Sequence, residues 1–229
     1  MASLPAFSQS AKEKKNKEIL SRAGDHFMFQ LSSDHWLGAV DSVKNHIKGF
    51  SRGINVYVMY NKPFKADPRF SVAGGLGVST SNIYFKNMNI DIASNGTVLP
   101  FNATDSSNNY KKYKISAAFL EVPIEFRFSS KPETPNKSVK VALGIKLGTL
   151  LSAHTKGKTL RDASGKVLFN STDKVTDKTF FNTSRVAATA RIGYGNFTLF
   201  GSYNLTSMFK TGVASDIKLL QIGITVSGL

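Results

Sequence analysis

Two glutamates four residues apart, Glu121 and Glu125, lie mid-chain in the segment AFLEVPIEFRF. Paired carboxylates in a confined space could carry protons or ions through a channel, or they could form ion pairs with basic side chains. The proposed network adds a phenol and three basic side chains: Tyr57, Arg127, Lys146 and Arg191. Because buried charges must be paired in any case, we interpret these six residues as a structural ion network and keep ion transport as the alternative.

A second set of polar residues could bind a metal ion through nitrogen and oxygen ligands: Asp34, His35, Asp41 and His46. The same segment places Trp36, Val40, Val43 and Ile47 at helical spacing. We therefore expect a short amphipathic helix with Asp34 as its N-cap rather than a metal site.

Catalytic signatures are sparse. The chain has no cysteine, which excludes thiolate chemistry, and it contains no Gly-rich phosphate loop, no G-x-S-x-G and no H-E-x-x-H motif. His154 could act with a nearby serine in a lipid-modifying enzyme, but nothing in the sequence fixes that geometry. We expect a protein that is not an enzyme and that needs no cofactor.

Apolar residues alternate with small or polar ones in several segments, as expected for strands with two different faces. One face carries large apolar side chains: Leu120, Val122, Ile124, Leu143, Ile145, Leu220, Ile222 and Ile224. The other face carries glycine, alanine, serine and charged groups, which a water-soluble sandwich would seldom bury. The large apolar face is therefore predicted to contact lipid.

The alternation predicts eight strands, near residues 25–32, 53–61, 69–79, 114–128, 138–151, 184–194, 196–205 and 217–226. The connections alternate between long (33–52, 80–113, 152–183 and 206–216) and short (62–68, 129–137 and 195). Transmembrane barrels have short periplasmic turns and long outer loops. Since a sheet in lipid must close on itself, the pattern predicts a closed eight-stranded antiparallel transmembrane β-barrel.

Length and charge are consistent with this architecture. The 229 residues suit one barrel domain at 24–229, preceded at 1–23 by a signal-peptide remnant and a charged periplasmic lead-in. The longest apolar run is shorter than the roughly 18 residues of a membrane helix. The formal net charge of +15 could suggest nucleic acid. Without a nucleic-acid motif we assign it to loops facing acidic headgroups, and we expect no nucleic-acid partner.

The longest basic stretch falls in the predicted outer loop at residues 152–183. Its six basic residues are Lys156, Lys158, Arg161, Lys166, Lys174 and Lys178, against Asp162, Asp173 and Asp177. This excess favours an acidic partner or the anionic sugars of the outer leaflet. The alternative is a solvated loop without a partner.

Five segments together resemble a known family: SRGINVYVMYNKPF, GGLGVSTSNIYF, FLEVPIEFRF, GNFTLFGSYNLTSMFK and LLQIGITV. They are similar to the PorT-like outer-membrane β-barrel proteins of Bacteroidota, from about the second strand to the C-terminus. The resemblance implies a small barrel in the outer membrane. It implies little about activity, because one branch of the family serves type IX secretion and many members have no assigned role.

From these observations we expect a structural or accessory subunit of an outer-membrane protein assembly. Its expected partners are outer-membrane lipid, lipopolysaccharide and other outer-membrane proteins. A barrel that binds a small ligand or forms a narrow transport path is the first alternative, and an outer-membrane lipid-modifying enzyme is the second.

Overall fold

The computed structural model describes residues 25–105 and 107–227, so the predicted signal remnant and lead-in lie outside the described residues. In chain order the strands are β1 (Asp25–Leu37), β2 (Arg52–Pro63), β3 (Phe70–Phe85), β4 (Met88–Ile90), β5 (Phe101–Ala103), β6 (Asn109–Ser129), β7 (Val139–Arg161), β8 (Val167–Thr176), β9 (Ser184–Tyr194), β10 (Phe197–Asn204) and β11 (Lys218–Ser227). A short helix, α1 (Asp41–Lys44), follows β1, and a 3-10 turn spans Pro135–Lys137.

Eight of these strands close into a barrel in which every neighbouring pair is antiparallel. The order around the barrel is β1, β2, β3, β6, β7, β9, β10 and β11, and β11 pairs back with β1. Closure pairs the backbone groups of each strand with both neighbours, which a sheet surrounded by lipid requires. The predicted eight-stranded antiparallel barrel is confirmed.

The connections differ in length between the two ends of the barrel. One end has the short turns 64–69, 130–138 and 195–196, and the other has the longer connections 38–51, 86–108 and 205–217 and the β7–β9 connection. The tightest turn depends on Gly195, whose φ of +60° favours glycine. A Cβ at this position would lie 2.7 Å from the Asn136 carbonyl oxygen, so a larger residue would disturb the neighbouring turn as well.

The prediction that residues 152–183 form a loop was wrong. Strand β7 continues to Arg161, turns, and returns as β8, which pairs with it. In this stretch Ala153, Thr155 and Gly157 are buried and alternate with less buried residues, so the strand period persists beyond the membrane. Because Lys156, Gly157 and Lys158 lie in this stretch, it shows no apolar alternation in the sequence. The predicted loop at 80–113 also contains strand: β3 runs to Phe85, β4 and β5 form a small hairpin, and β6 begins at Asn109.

The predicted helix after the first strand was largely wrong as well. Strand β1 extends to Leu37, so Asp34 and Trp36 are strand residues, and α1 covers only four residues. Asp34 caps nothing; Val40 occupies the N-cap position without a side-chain hydrogen bond. β11 pairs with β1 from Met28 to Leu37, and β2 pairs with it as far as Ser33; this pairing outweighs a short helical pattern.

The region beyond the membrane has its own apolar core. Trp36 packs edge-on against Phe85 and Phe209, with ring centroids 5.6 Å away in each case. Side chains from the β4–β5 region and the β10–β11 connection join this cluster, among them Ile90, Leu99 and Ile217. The extracellular end is therefore a folded cap rather than a set of open loops.

None of the helices among the described residues is long and apolar enough to cross a membrane.

Candidate functional site

The lower part of the barrel interior is organised around Glu125 on β6. Arg191 on β9 donates from Nε to Glu125 Oε1 at 3.1 Å and from Nη2 to Oε2. Arg127 donates from Nε to Glu125 Oε2 at 2.8 Å. Room for the carboxylate comes from Gly144 on β7, where a Cβ would lie 3.0 Å from Glu125 Cγ. The result is a buried carboxylate held by two guanidinium groups.

The second interior carboxylate, Glu121, has a different set of partners. Tyr57 donates its hydroxyl to Glu121 Oε2 at 2.6 Å, and Arg185 Nη1 lies 3.1 Å from Oε1. Arg185 also donates from Nε to Asn204 Oδ1 at 2.9 Å. Sequence reasoning missed Arg185, although it shares the strand phase of Ala187, Thr189 and Arg191 on the inner face of β9. This alternation along β9 could have identified Arg185 as an inward-facing residue from the sequence.

Lys146 is fully buried and forms an ion pair with neither glutamate. Its Nζ lies 5.0 Å from the Tyr57 ring centroid and 5.6 Å from that of Phe200, and it donates to Gln30 Oε1 at 3.2 Å. Aromatic faces and an amide oxygen thus stabilise this cation in place of a carboxylate.

The upper interior contains hydrogen bonds between neutral side chains and a further buried acid, Asp34. Asn55 donates to Gln30 Oε1 at 3.2 Å, and Ser79 donates to Asn55 Oδ1 at 2.8 Å. Asp34, which we expected at a helix terminus or a metal site, accepts from Ser32 and, at 3.1 Å, from Gln221. Side chains therefore bridge the interior from wall to wall along much of its height, as an eight-stranded barrel permits.

The eight predicted lipid-facing residues lie on the opposite face of the same strands. Six of them are 42–60 % exposed: Val122, Ile124, Leu143, Ile145, Ile222 and Ile224. Leu120 and Leu220 are half-buried among their neighbours. Together with exposed residues of the other strands, such as Leu76 and Leu199, they form an apolar belt around the barrel.

The four candidate metal ligands do not converge. Asp34 is buried inside the barrel, whereas the adjacent His35 is exposed on the outer face and lies 3.0 Å from Ser33 Oγ. Across the described ranges, no three His, Asp or Glu side chains are grouped as metal ligands would be. His46 instead contacts the Ser42 carbonyl oxygen through Nδ1 at 2.7 Å and Asp105 through Nε2 at 3.2 Å.

His46 and Asp105 influence each other's charge in the extracellular cap. The Asp105 hydrogen bond, together with the Ser42 carbonyl, raises the pKa of His46 above its ordinary value of 6.5. Hydrogen bonds first from Asn87 and then from His46 lower the pKa of Asp105 below 3.8. Because acceptors face both ring nitrogens, the doubly protonated imidazolium fits this site best.

The six basic residues predicted as a partner loop are spread over the β7–β8 hairpin. Lys156 and Lys158 lie on β7, Lys174 on β8, Arg161 at the end of β7, Lys166 in the turn, and Lys178 just after β8. The three aspartates of this segment have other partners. Asp173 accepts from Tyr110, Asp162 from Ser164 and the Lys166 N–H, and Asp177 from the Thr179 N–H.

His154 lies beside hydroxyl groups and lysines. It lies half-buried on the outward face of β7, opposite Ser116 on β6 and Thr176 on β8. The charged groups that affect it are Lys174, Lys114 and Lys156, and no carboxylate is among them.

A closed eight-stranded barrel with an apolar belt, a polar filled interior and short turns at one end defines a bacterial outer-membrane β-barrel. The protein is located in the bacterial outer membrane. A family comparison leads to the same assignment: the model described as outer membrane protein beta-barrel domain matches residues 7–210, and the chain belongs to this family.

Solved structures with a similar fold have low sequence identity. Neisserial surface protein A is 10 % identical, with 89 % of this chain and 96 % of that chain covered and a TM-score of 0.40. Ail, the attachment invasion locus protein of Yersinia pestis in complex with the heparin analogue sucrose octasulfate, is 13 % identical, with 89 % and 97 % covered and a TM-score of 0.35. The translocator domain of the autotransporter NalP from Neisseria meningitidis is 10 % identical, with 98 % and 95 % covered and a TM-score of 0.27. Comparison with curated protein sequences gives no significant match.

Proposed function

We propose that this outer-membrane barrel is a non-enzymatic accessory subunit of an outer-membrane protein assembly, and that it contacts its protein partner through β8. The observation that carries the proposal is the free edge of this strand. β8 pairs with β7 on one side, and none of the described strands pairs with its other edge.

An exposed edge strand presents unpaired N–H and C=O groups that can pair with a strand of another protein. Nine of the ten β8 residues are exposed, and they include the apolar side chains Val167, Leu168 and Phe169. Exposed apolar residues beside an open edge are a liability for a protein that acts alone. They are expected where a partner strand covers them.

We assign the chain to the PorT-like proteins of Bacteroidota as part of this proposal, and the branch of that group that serves type IX secretion is compatible with an assembly role. A role without enzymatic activity is part of this proposal, and the charges that act on His154, those of Lys174, Lys114 and Lys156, are compatible with it. The lipid belt and the basic outer surface favour outer-membrane lipid and lipopolysaccharide as the surroundings of the assembly.

The decisive experiment compares two equally exposed phenylalanines. Phe169 on β8 is 67 % exposed, and Phe50, in the connection before β2, is 66 % exposed. We expect Phe169→Asp to reduce co-purification of other outer-membrane proteins at least fivefold from cells solubilised in mild detergent, and Phe50→Asp to leave it unchanged. Both variants should remain folded, because neither side chain is buried. Equal co-purification with both variants would exclude β8 as the contact.

The transport alternative is tested in planar bilayers with the purified barrel. We expect no stable ion conductance, because the interior of an eight-stranded barrel is filled by its own side chains, here those around Glu121, Glu125 and Lys146. Reproducible single-channel steps that vanish in Glu125→Gln would instead favour a narrow channel.

A small-ligand function is favoured by one observation in the cap. A cavity of about 180 Å³ lies between the β4–β5 hairpin and the sheet formed by β6, β7 and β8. Its lining includes the stacked rings of Tyr110 and Tyr113 together with Asp91, Asp173 and Asn102. Such a mixture of aromatic faces, carboxylates and an amide suits a small polyhydroxylated ligand. Isothermal titration of the purified barrel with neutral mono- and disaccharides tests whether this cavity binds such a ligand.

A further inference from the structure

We propose that the outward face of the barrel carries a binding site for the phosphate groups of an outer-leaflet glycolipid. The site consists of Arg52 on β2, Lys114 on β6, Lys156 on β7 and Lys174 on β8, called here the outer basic patch. The two proposals share β8, which contributes Lys174 to the patch and its free edge to the protein contact, but neither proposal rests on the other.

Cross-strand pairing brings the three lysines together. Lys114 lies directly opposite Lys156, and Lys156 lies directly opposite Lys174. Side chains in such pairs have Cβ atoms about 4.5–5.5 Å apart, and like charges placed opposite each other destabilise a sheet. A row of three lysines across three strands is therefore unfavourable unless an anion lies over it.

Arg52 joins the row through β3. The Arg52 guanidinium and the Lys114 ammonium group lie 5.4 Å and 5.9 Å from the centroid of the same ring, that of Tyr84. Lys114 also donates to Asn82 Oδ1 at 2.6 Å, and Asn82 donates to the Arg52 carbonyl oxygen at 3.1 Å. Neutral groups thus fix two of the cations in place without neutralising them.

The patch has no acidic counterpart within the described part of the chain. None of its four cations takes part in an ion pair there. The nearest acid on β8, Asp173, is paired with Gly157 rather than with a lysine, and it accepts a hydrogen bond from Tyr110 beside the cavity. Protection of a free edge would explain a lysine on β8 but not lysines on β6 and β7, which are paired on both sides over most of their length.

The height of the patch matches the headgroup layer of the membrane. On the outward face of β6 the apolar positions end at Leu120 and Ala118, and Ser116 and Lys114 follow. With a rise of about 3.3 Å per residue and a tilt near 40°, Lys114 lies about 10 Å above Ala118. Tyr84 beside it is an aromatic residue of the kind that marks the interface. Lysine side chains can bend toward this level while keeping their charge in water.

Lipid phosphates are favoured over a soluble anion because the patch faces outward from the barrel wall, directly above the apolar belt. A glycolipid can place its acyl chains along Leu120 and Leu151 while its phosphates contact the lysines above. Free phosphate would gain only the polar part of this contact.

The test uses the purified full-length barrel in neutral detergent, titrated with diphosphoryl lipid A and followed by native mass spectrometry. The patch variant carries Lys114→Gln, Lys156→Gln and Lys174→Gln. The matched control carries Lys65→Gln, Lys131→Gln and Lys137→Gln, three exposed lysines of the short turns at the other end of the barrel. Each triple change lowers the net charge by three, from +15 to +12.

We expect the patch variant to bind diphosphoryl lipid A at least tenfold more weakly than the wild type, and the control to differ less than twofold. Dephosphorylated lipid A should bind wild type and patch variant equally. An equal loss in both variants would overturn the site and leave only an effect of net charge. Competition by inorganic phosphate at the concentration at which lipid A binds would identify a free-anion site and overturn the lipid assignment.

Thermal unfolding provides a readout that does not depend on lipid binding. Without lipid the patch variant should unfold at the same temperature as the wild type or at a higher one, since it lacks the repulsion between the lysines. Diphosphoryl lipid A should stabilise the wild type and the control variant more than the patch variant at the same lipid concentration. A patch variant that unfolds earlier than wild type without lipid would show that the lysines support the fold, which contradicts the proposal. Intact binding of diphosphoryl lipid A by the patch variant would overturn the site, whatever happens to the co-purified proteins, because Lys174 also lies on β8.

Discussion

The barrel interior and the outer basic patch both concentrate cations, but they satisfy them in opposite ways. Inside, Arg191 and Arg185 contact carboxylates and Lys146 lies against aromatic rings. On the outer patch Lys156 has lysines on both sides. A buried charge without a partner costs several kcal/mol, whereas an exposed one is stabilised by water. Burial therefore enforces pairing within the barrel, and unpaired cations at the headgroup level are available to a ligand.

The largest effect should follow from removing the central interior acid. Glu125→Ala removes the carboxylate shared by the buried Arg191 and the half-buried Arg127, and we expect the free energy of unfolding to fall by about 3–5 kcal/mol. Urea unfolding of the barrel in lipid vesicles measures this. Ser202→Ala, which removes a buried hydroxyl without a hydrogen-bond partner among the described residues, is the control and should cost less than about 1 kcal/mol. Similar losses in both variants would refute the ion network.

A slightly smaller effect is expected on the lipid-facing wall. Ile222→Arg places a charge in the apolar belt and should cost about 2–4 kcal/mol near the bilayer midplane. Thr225→Ser, on the inner face of the same strand, keeps the hydroxyl that accepts from Gln30 and should cost far less. Folding titrations into vesicles compare the two. Equal costs on the two faces would mean that the assigned orientation in lipid is incorrect.

A change within the outer basic patch should have the opposite sign. Lys156→Gln removes the central charge of the lysine row, so we expect the barrel without anionic lipid to gain about 0.2–1 kcal/mol. The gain should shrink as salt screens the repulsion. Thermal unfolding at low and high salt measures the gain and its dependence on salt. If Lys156→Gln lowered the stability at low salt, the lysines of the outer basic patch would not repel one another as we infer.

The smallest effect concerns the His46–Asp105 contact in the cap. A pKa raised on folding means that the charged form of His46 stabilises the cap fully below pH 6.5, and that this contribution is lost as the pH rises through the folded pKa. Asp105 stays ionised in that range because its own pKa is lowered. Hydrogen exchange around α1 should therefore be slower at pH 5.5 than at pH 8, after correction for the intrinsic rate. His46→Gln should abolish the difference. If the pH dependence of hydrogen exchange persisted in this variant, a group other than His46 would be its cause.

The sequence determined the parts of this protein that depend on a local period. Alternation along each strand assigned the inner and outer faces, as for Glu121 and Val122, and the connection lengths indicated which end of the barrel has the short turns. The strand count and the closed architecture followed, because a sheet in lipid cannot keep a free edge. The resemblance to a barrel family agreed with the same features.

Only the tertiary structure decided which side chains meet. Only β7 separates β6 from β9, so Arg185 on β9 reaches Glu121 on β6, while Lys146 on β7 meets the rings of Tyr57 on β2 and Phe200 on β10. Such contacts depend on the register and stagger of all eight strands, which no local pattern encodes. The extension of β7 to Arg161 also depends on tertiary structure, because β6 and β8 pair with this part of β7 above the membrane. Backbone pairing with these neighbours sustains strand where the apolar alternation has already ended.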